Sequence, residues 1–556
     1  MHNAQEPYHL RVQLRRTSGK NETQKLMLIG LDSADADLIE RWCEEGYLPV
    51  LQSFRQQGTW GRLRTTAEVM HVSAWPSIYT GTMPGKHGMY HAYQIKAGEQ
   101  DIHRTRADEC AQFPFWKFLD DSGKRCIIMD AFMNYPLEGF RGIQVLEYGT
   151  WTWFWNPVAI PDGIWKEIVG KFGPYPAPEH SKVLTVPEPN QFRSQLISGA
   201  ALKSKVVRWL MREKPWDMFF VTFGEPHPAG HYLWHLADPS YPAHRLNGSR
   251  GLENAVRDVY SAVDKAIGEI LSELDDSVTV VIASGDGMGP NYAGCHLIPE
   301  VLNKLGLYYA AGVGQESASK AEGKRSSIQK KSLASTVKDL IPVSVRRAIS
   351  RCLPRHLQHQ LSMKWANANI DWTKTKAFCI PNANEAYVRV NLQGREPKGI
   401  VERGNAYQEL LGELQARLKE LINPGNGRIA ARQVVCIDDI FSGERRHHLP
   451  DLVVNWDIEA KVLSELQSQT LGLIPGRTAN YQISPFYTGN HRPTAFVLAR
   501  GPRIPENDVL TGGHIVDILP TILAMLGVDP PPHLDGRVWD EFMGQPSRAM
   551  QKREDL

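Results

Sequence analysis

Short apolar runs without alternation recur along the chain, and each closes on a polar residue or a glycine. Leu26–Leu31 stops at Asp32, Cys126–Met129 at Asp130, Met218–Phe223 at a Pro- and His-rich turn, and 278–283 at Ser284-Gly285-Asp286-Gly287. Further runs are Leu452-Val453-Val454 and 495–499. Runs with no polar face fit strands covered on both sides, the condition of a parallel sheet flanked by helices. The stretches 35–45, 251–274 and 514–526 carry apolar residues at helical spacing, and the last stops at Gly527 ahead of Pro530-Pro531-Pro532. A doubly wound α/β architecture follows. Open parallel sheets place ligand sites beyond the carboxyl ends of their strands, so the polar residues that end the runs are the functional candidates.

Composition removes other classes. Among 556 residues, 63 Lys+Arg against 61 Asp+Glu leave a formal charge of +2, too small a field to recruit nucleic acid or an anionic membrane. Seven scattered cysteines with no CxxC pair signal neither a disulfide framework nor a cysteine zinc site. Residues 1–25 are polar, with Arg11, Arg15 and Arg16, and lack the apolar core of a secretory leader. No stretch nears the roughly 18 apolar residues of a membrane span. The expectation is a cytoplasmic protein with no nucleic-acid partner and homo-oligomerisation left open. The expected organisation is a polar segment 1–24, one α/β domain over 25–545 with insertions at about 90–215 and 311–370, and a polar tail 546–556. The first insertion holds Trp151, Trp153, Phe154 and Trp155, which read either as a wall of a substrate pocket or as a staple to the core. The second is basic, with Lys320, Lys324, Arg325, Lys330 and Lys331, and reads as a solvated excursion.

Histidine is the unusual component, at 19 residues. If a helix starts at Pro226 or Pro228, His227 and His231 lie one turn apart on one face, the spacing of a bidentate metal anchor. The same spacing also describes two histidines packing on Trp234, and His235 and His244 follow nearby. Asp32 is either a metal-capable carboxylate or the cap of the next helix. Asp286 is open in the same way, although Gly285 and Gly287 on either side allow a close backbone approach. His491, in Thr488-Gly489-Asn490-His491-Arg492-Pro493, completes the set.

Taken in order, LMLIGLDSAD, SAWPSIYTGTMPGKHGMY, FFVTFGEPHPAGHYLWH, VVIASGDGMGPNYAG, HLPDLVVNW, TGNHRPTAFVLARGPRI and VDILPTILAMLGV with LDGR resemble the alkaline phosphatase superfamily. Within it they resemble the branch of type I phosphodiesterase/nucleotide pyrophosphatase-like proteins. The resemblance covers about 24–540 outside the insertions and is most specific in the TG, PGKHG and TGNHRP segments. It implies an alkaline-phosphatase-like α/β sandwich with a central mostly parallel sheet, flanking helices and cap insertions. It further implies a metal-dependent hydrolase of a phosphate monoester, a phosphodiester or a related ester.

Members of that superfamily hold two divalent metals, often zinc, and by position Asp32, His231 and His491 match their ligands. Elsewhere the chain departs from the pattern. His227 stands where an aspartate is expected, Gly285-Asp286 where an Asp-His pair is expected, and His71 where the Thr or Ser nucleophile is expected, with Ser73 two residues on. The site this implies has a first metal on His227, His231 and His491 and a second on Asp32 and Asp286 with His71 in reach. One or two zinc ions are expected, with iron or manganese also suited. Exchanging a carboxylate for a neutral imidazole leaves more positive charge at the metal and makes nearby water more acidic. His71 then reads as a ligand beside a metal-activated water, as the nucleophile forming a phosphohistidine, or as an acid/base with Ser73 attacking. His87, in the PGKHG turn, reads as structural. Loss of the usual nucleophile keeps two alternatives open, a non-hydrolytic binding or scaffold relative and a phosphoryl or group transferase in a biosynthetic pathway.

Overall fold

The computed structural model describes residues 24–149, 158–177, 188–241, 244, 251–311, 370–457, 464–476 and 487–544. They divide into two compact units, one of residues up to 83 with 112–289 and 491 onward, the other of 84–111 with 290–490.

The first unit is built on a nine-stranded sheet. In chain order its strands are β1 (Leu26–Leu31), β2 (Thr59–Leu63), β3 (Cys126–Met129), β4 (Ile143–Leu146), β5 (Val158–Ile160), β6 (Met218–Phe223), β7 (Thr279–Ser284), β8 (Ala495–Arg500) and β9 (Asp508–Val509). Across the sheet the order is β9-β2-β8-β7-β1-β6-β3-β4-β5, and only β5 and β8 run against the rest. Every residue of β1, β6 and β7 is buried, which explains why these central strands show no polar alternation. The covering helices include α1 (Ala36–Glu44), α2 (Ala74–Thr80), α3 (Pro189–Glu213), α4 (Pro226–Ala237), α5 (Ala255–Leu271) and α6 (Ile518–Met525), with α5 packed on both α3 and α4.

The sequence places an insertion over 90–215, whereas β3, β4 and β5 fall in that range and extend the central sheet, and α3, also within it, packs on α5. The run of β3 is legible in the sequence, but β4 and β5, of four and three residues, carry too little pattern to be separated from loop by periodicity. The aromatic residues 151–155 and the basic stretch 320–331 lie outside the described residues.

The second unit holds an antiparallel sheet in the order Ala377–Ile380, Ala386–Val390, Leu452–Trp456, Ala431–Cys436 and a second small sheet of short strands. Leu410, Leu414 and Leu418 of helix Asn405–Lys419 join Val388, Val390 and Val454 in its core. Arg395 bridges Asp451 and Glu396 inside it, and Arg389 pairs with the same Glu396. Among the described residues, no helix is long and apolar enough to cross a membrane.

Candidate metal centre

The strand directions of the first unit gather the candidate residues at one edge of the sheet. Asp32 follows β1, His227 and His231 follow β6, Asp286 follows β7, and His71 lies beyond the end of β2. His491 reaches the same edge from the other direction. Strand β8 is antiparallel to β7 with Phe496 opposite Ser284, so the residues that precede β8 lie beside those that follow β7. Helix α4 begins with Pro226 in its first turn, where the missing N–H costs nothing. Its i, i+4 spacing then sets both imidazoles on one face.

The next helix does not use Asp32 as its cap. Asp35 takes that role, its Oδ1 accepting from the backbone N–H groups of Asp37 at 3.0 Å and Leu38 at 3.1 Å. Asp32 is thereby left for the site, buried, with both carboxylate oxygens committed. Oδ2 accepts from His227 Nδ1 at 2.8 Å, and Oδ1 accepts from the Trp75 indole N–H at 2.7 Å. Trp75 reaches it by lying across Gly30 of β1, where a Cβ would sit 2.5 Å from the ring. Burial pushes the Asp32 carboxyl up, but its interactions with His227, Trp75 and His491 together hold it below its ordinary value. Asp286 is engaged in the same way, its Oδ2 accepting from His491 Nδ1 at 2.6 Å.

These two carboxylates fix the tautomers. A carboxylate only accepts, so His227 and His491 each donate from Nδ1, and the neutral ring, the form that binds a metal, then presents a lone pair at Nε2. The two Nε2 atoms nevertheless face each other at 3.2 Å, and His231 Nε2 lies 3.0 Å from that of His227. Two acceptors at that distance repel unless a positive charge sits between them. Tetrahedral zinc with Zn–N bonds of about 2.0–2.1 Å separates its nitrogens by roughly 3.3–3.4 Å, so this donor set fits such an ion. The ligand atoms of His227, His231 and His491 all lie within 4.8 Å of one another, and they form the one such group among the described residues. Carboxylate-to-histidine bonds behind the ligands are the usual support of a metal-binding imidazole.

His71 lies beside this trio. Its ring stacks on His491, with centroids 4.2 Å apart and planes within 25°. An imidazole lone pair lies in its ring plane, so stacked rings aim along nearly parallel planes and do not converge on one ion. Ser73 is fully buried and spends its hydroxyl within its own turn, 2.5 Å from Met70 O and 2.8 Å from Thr66 Oγ1. At Gly285 a Cβ would come within 2.9 Å of Ala74 Cβ and 3.1 Å of Ile78 Cδ1. The space an aspartate would need there is filled by α2. Ser33, between Asp32 and the first helix, adopts φ +53°, and its Oγ lies 3.4 Å from His491 Nδ1. Left-handed backbone at a non-glycine residue concentrates at functional sites. Trp75 and Ser33 carried no signal of their own in the sequence beyond lying inside the SAWPSIYTG and LMLIGLDSAD segments.

His87 belongs to the second unit, where it is wholly buried and its Nδ1 accepts from Met89 N–H at 3.0 Å. Burial pushes its pKa down to about 3. The folded chain therefore holds it neutral, while the unfolded chain protonates it near pH 6.5. The stability it contributes is complete above about pH 6.5 and is lost as pH falls toward 3. His87→Asn keeps an acceptor for Met89 and removes the titration. The melting temperature of the variant should fall less steeply than wild type between pH 6.5 and 4, and parallel slopes would refute this.

A family model described as type I phosphodiesterase / nucleotide pyrophosphatase matches residues 26–470, a span that includes Asp32, His71, His227, His231 and Asp286 and ends before His491. Among solved structures, phosphonoacetate hydrolase from Sinorhizobium meliloti 1021 in complex with phosphonoformate is similar, with a TM-score of 0.51 and 12% identity over 93% of this chain and 99% of that one. Its phosphonoacetate complex gives 0.50 at the same identity. At this identity the likeness is one of fold. Murine ectonucleotide pyrophosphatase / phosphodiesterase 5 aligns with a TM-score of 0.43 and 12% identity over 94% of this chain and 99% of its own. No curated protein matches the sequence.

Proposed function

The chain belongs to the type I phosphodiesterase/nucleotide pyrophosphatase family, a branch of the alkaline phosphatase superfamily of phosphoester hydrolases, and from that premise we propose that it cleaves a small-molecule phosphate monoester or diester at a single divalent metal held by His227, His231 and His491. The observation that carries the proposal is the pair of Nε2 atoms facing each other at 3.2 Å, each ring held by a carboxylate at the Nδ1 on its far side. Bound there, zinc or another first-row divalent ion supplies Lewis acidity, polarising a phosphoryl oxygen and acidifying water near neutral pH.

The residues of the chain divide the remaining work. Asp32 and Asp286 hold the two imidazoles in the metal-binding tautomer, and Trp75 holds Asp32. His71, stacked on His491, stands next to the reacting group without sharing the ion. In this reading it gives a proton to the departing oxygen and takes it back from water in the next cycle. Attack by water in line with that departure needs no Thr or Ser, which accounts for the changed residue at 71 and for the enclosed hydroxyl of Ser73. A cytoplasmic location is part of the proposal. It is supported by the six described cysteines, all free, which suit a reducing compartment.

His71→Ala separates the roles open to this residue. As a proton donor it should cost about 10²–10⁴-fold in kcat with an alkyl phosphate ester. The loss should shrink with a p-nitrophenyl ester, whose leaving group departs without a proton. Quenching into alkali during turnover, which preserves a phosphorus–nitrogen bond, should reveal no phosphohistidine. An equal loss with both esters, or an acid-labile adduct on His71, would overturn this assignment.

A further inference from the structure

A buried cation lies behind the metal helix. Lys203, on α3, is wholly buried together with both acids it meets, Asp130 and Glu225. Its Nζ lies 2.9 Å from Asp130 Oδ2 and 3.7 Å from Glu225 Oε1, and donates to Thr222 O at 2.7 Å and Gly149 O at 3.3 Å. Asp130 also accepts from the backbone N–H groups of Tyr148 at 2.7 Å and Gly149 at 2.9 Å. Tyr175 donates to Glu225 Oε1 at 2.7 Å, and Glu225 Oε2 has no hydrogen-bond partner. The space is cleared by two glycines. A Cβ at Gly199 would lie 2.3 Å from Tyr175 Oη, and one at Gly149 would lie 2.6 Å from the Tyr175 ring and 2.8 Å from Lys203 Cε.

Taking an ammonium and two carboxyl groups out of water costs several kcal/mol per ion unless each is paired and hydrogen-bonded. An apolar side chain of the same length would fill α3 at lower cost, so the volume alone does not explain Lys203. Its position does offer an explanation. Thr222 is the penultimate residue of β6, Glu225 is the cap residue of α4, and His227 is two residues further on. The ammonium thus ties the end of the metal strand and the start of the metal helix to the ends of β3 and β4. Burial disfavours its charge, but Asp130, Glu225 and Asp32 outweigh that and keep it protonated.

We propose that Lys203, through Glu225 and Thr222, is a positioning residue of the metal centre, fixing the β6–α4 connection so that His227 and His231 face His491. The proposal rests on the single-metal reading above.

Metal affinity of the full chain, measured by competition with a chromophoric zinc chelator, tests it in wild type, Lys203→Met and Glu225→Gln. Glu225→Gln keeps the shape and removes the charge, so it decides the matter even if Lys203→Met does not fold. The expected result is a zinc dissociation constant raised about 10–100-fold in each folded variant, with KM unchanged once zinc is saturating and kcat largely restored. A purely structural role would lower the melting temperature and leave zinc affinity at the wild-type value, and that outcome in Glu225→Gln overturns the proposal. A wild-type chain that takes up no zinc overturns the metal reading itself, and the assignment of Lys203 falls with it.

Discussion

His231→Ala should abolish metal binding and reduce kcat/KM for phosphoester hydrolysis by at least about a thousandfold. Lewis-acid stabilisation by a bound ion is worth several kcal/mol, and each 1.4 kcal/mol corresponds to roughly tenfold in rate. His231 is wholly buried on the inner face of α4, so alanine removes a ligand and leaves a small cavity, a loss of about 0.5–3 kcal/mol in stability. Circular dichroism should match wild type. The variant should also match chelator-stripped wild type in residual rate, and added zinc should rescue the stripped wild type alone. A variant that is folded and still hydrolyses at a tenth of the wild-type rate would show that His231 is not a ligand.

Asp32→Asn should weaken metal affinity about 10–100-fold and leave the metal content of the saturated protein at one ion per chain. Asp32 accepts from two donors, His227 Nδ1 and Trp75 Nε1, on separate oxygens. An amide has one oxygen, so it satisfies one donor and sets its own N–H₂ against the other. If the amide faces His227, the ring is driven to the tautomer that protonates Nε2, the nitrogen needed by the metal. Were Asp32 the ligand of a second ion, the substitution would instead lower the content from two ions to one. Titration with zinc followed by elemental analysis distinguishes the two.

Much of the architecture was legible because burial on both faces writes itself into sequence as unbroken apolar runs, and β1, β6 and β7 are such strands. The spacing of His227 and His231 was legible for a similar reason, since helix geometry maps i, i+4 onto one face. What was not legible depends on side-chain direction. Nothing in LDSAD tells that Asp35 caps the helix while Asp32 turns to His227 and Trp75. Nor does the spacing show that Asp286 meets a histidine Nδ1, or that His71 stacks on His491. Gly285 stands where the resemblance expects an aspartate, and only the packing of Ala74 and Ile78 shows that the space is taken. Lys203 sits in a 25-residue helix beside Lys205, Arg208 and Arg212, where a lysine reads as solvated surface. The strands β4 and β5 were hidden by their brevity.

The central claim is that one metal is held by three imidazoles with the carboxylates behind them. An anomalous difference map from zinc-soaked crystals, collected on both sides of the zinc edge, tests it most directly. The account predicts a single peak about 2.0–2.1 Å from the Nε2 atoms of His227, His231 and His491, with Asp32 and Asp286 still bonded to Nδ1. A peak coordinated by Asp32, Asp286 and His71, or no peak at the three histidines, would contradict it.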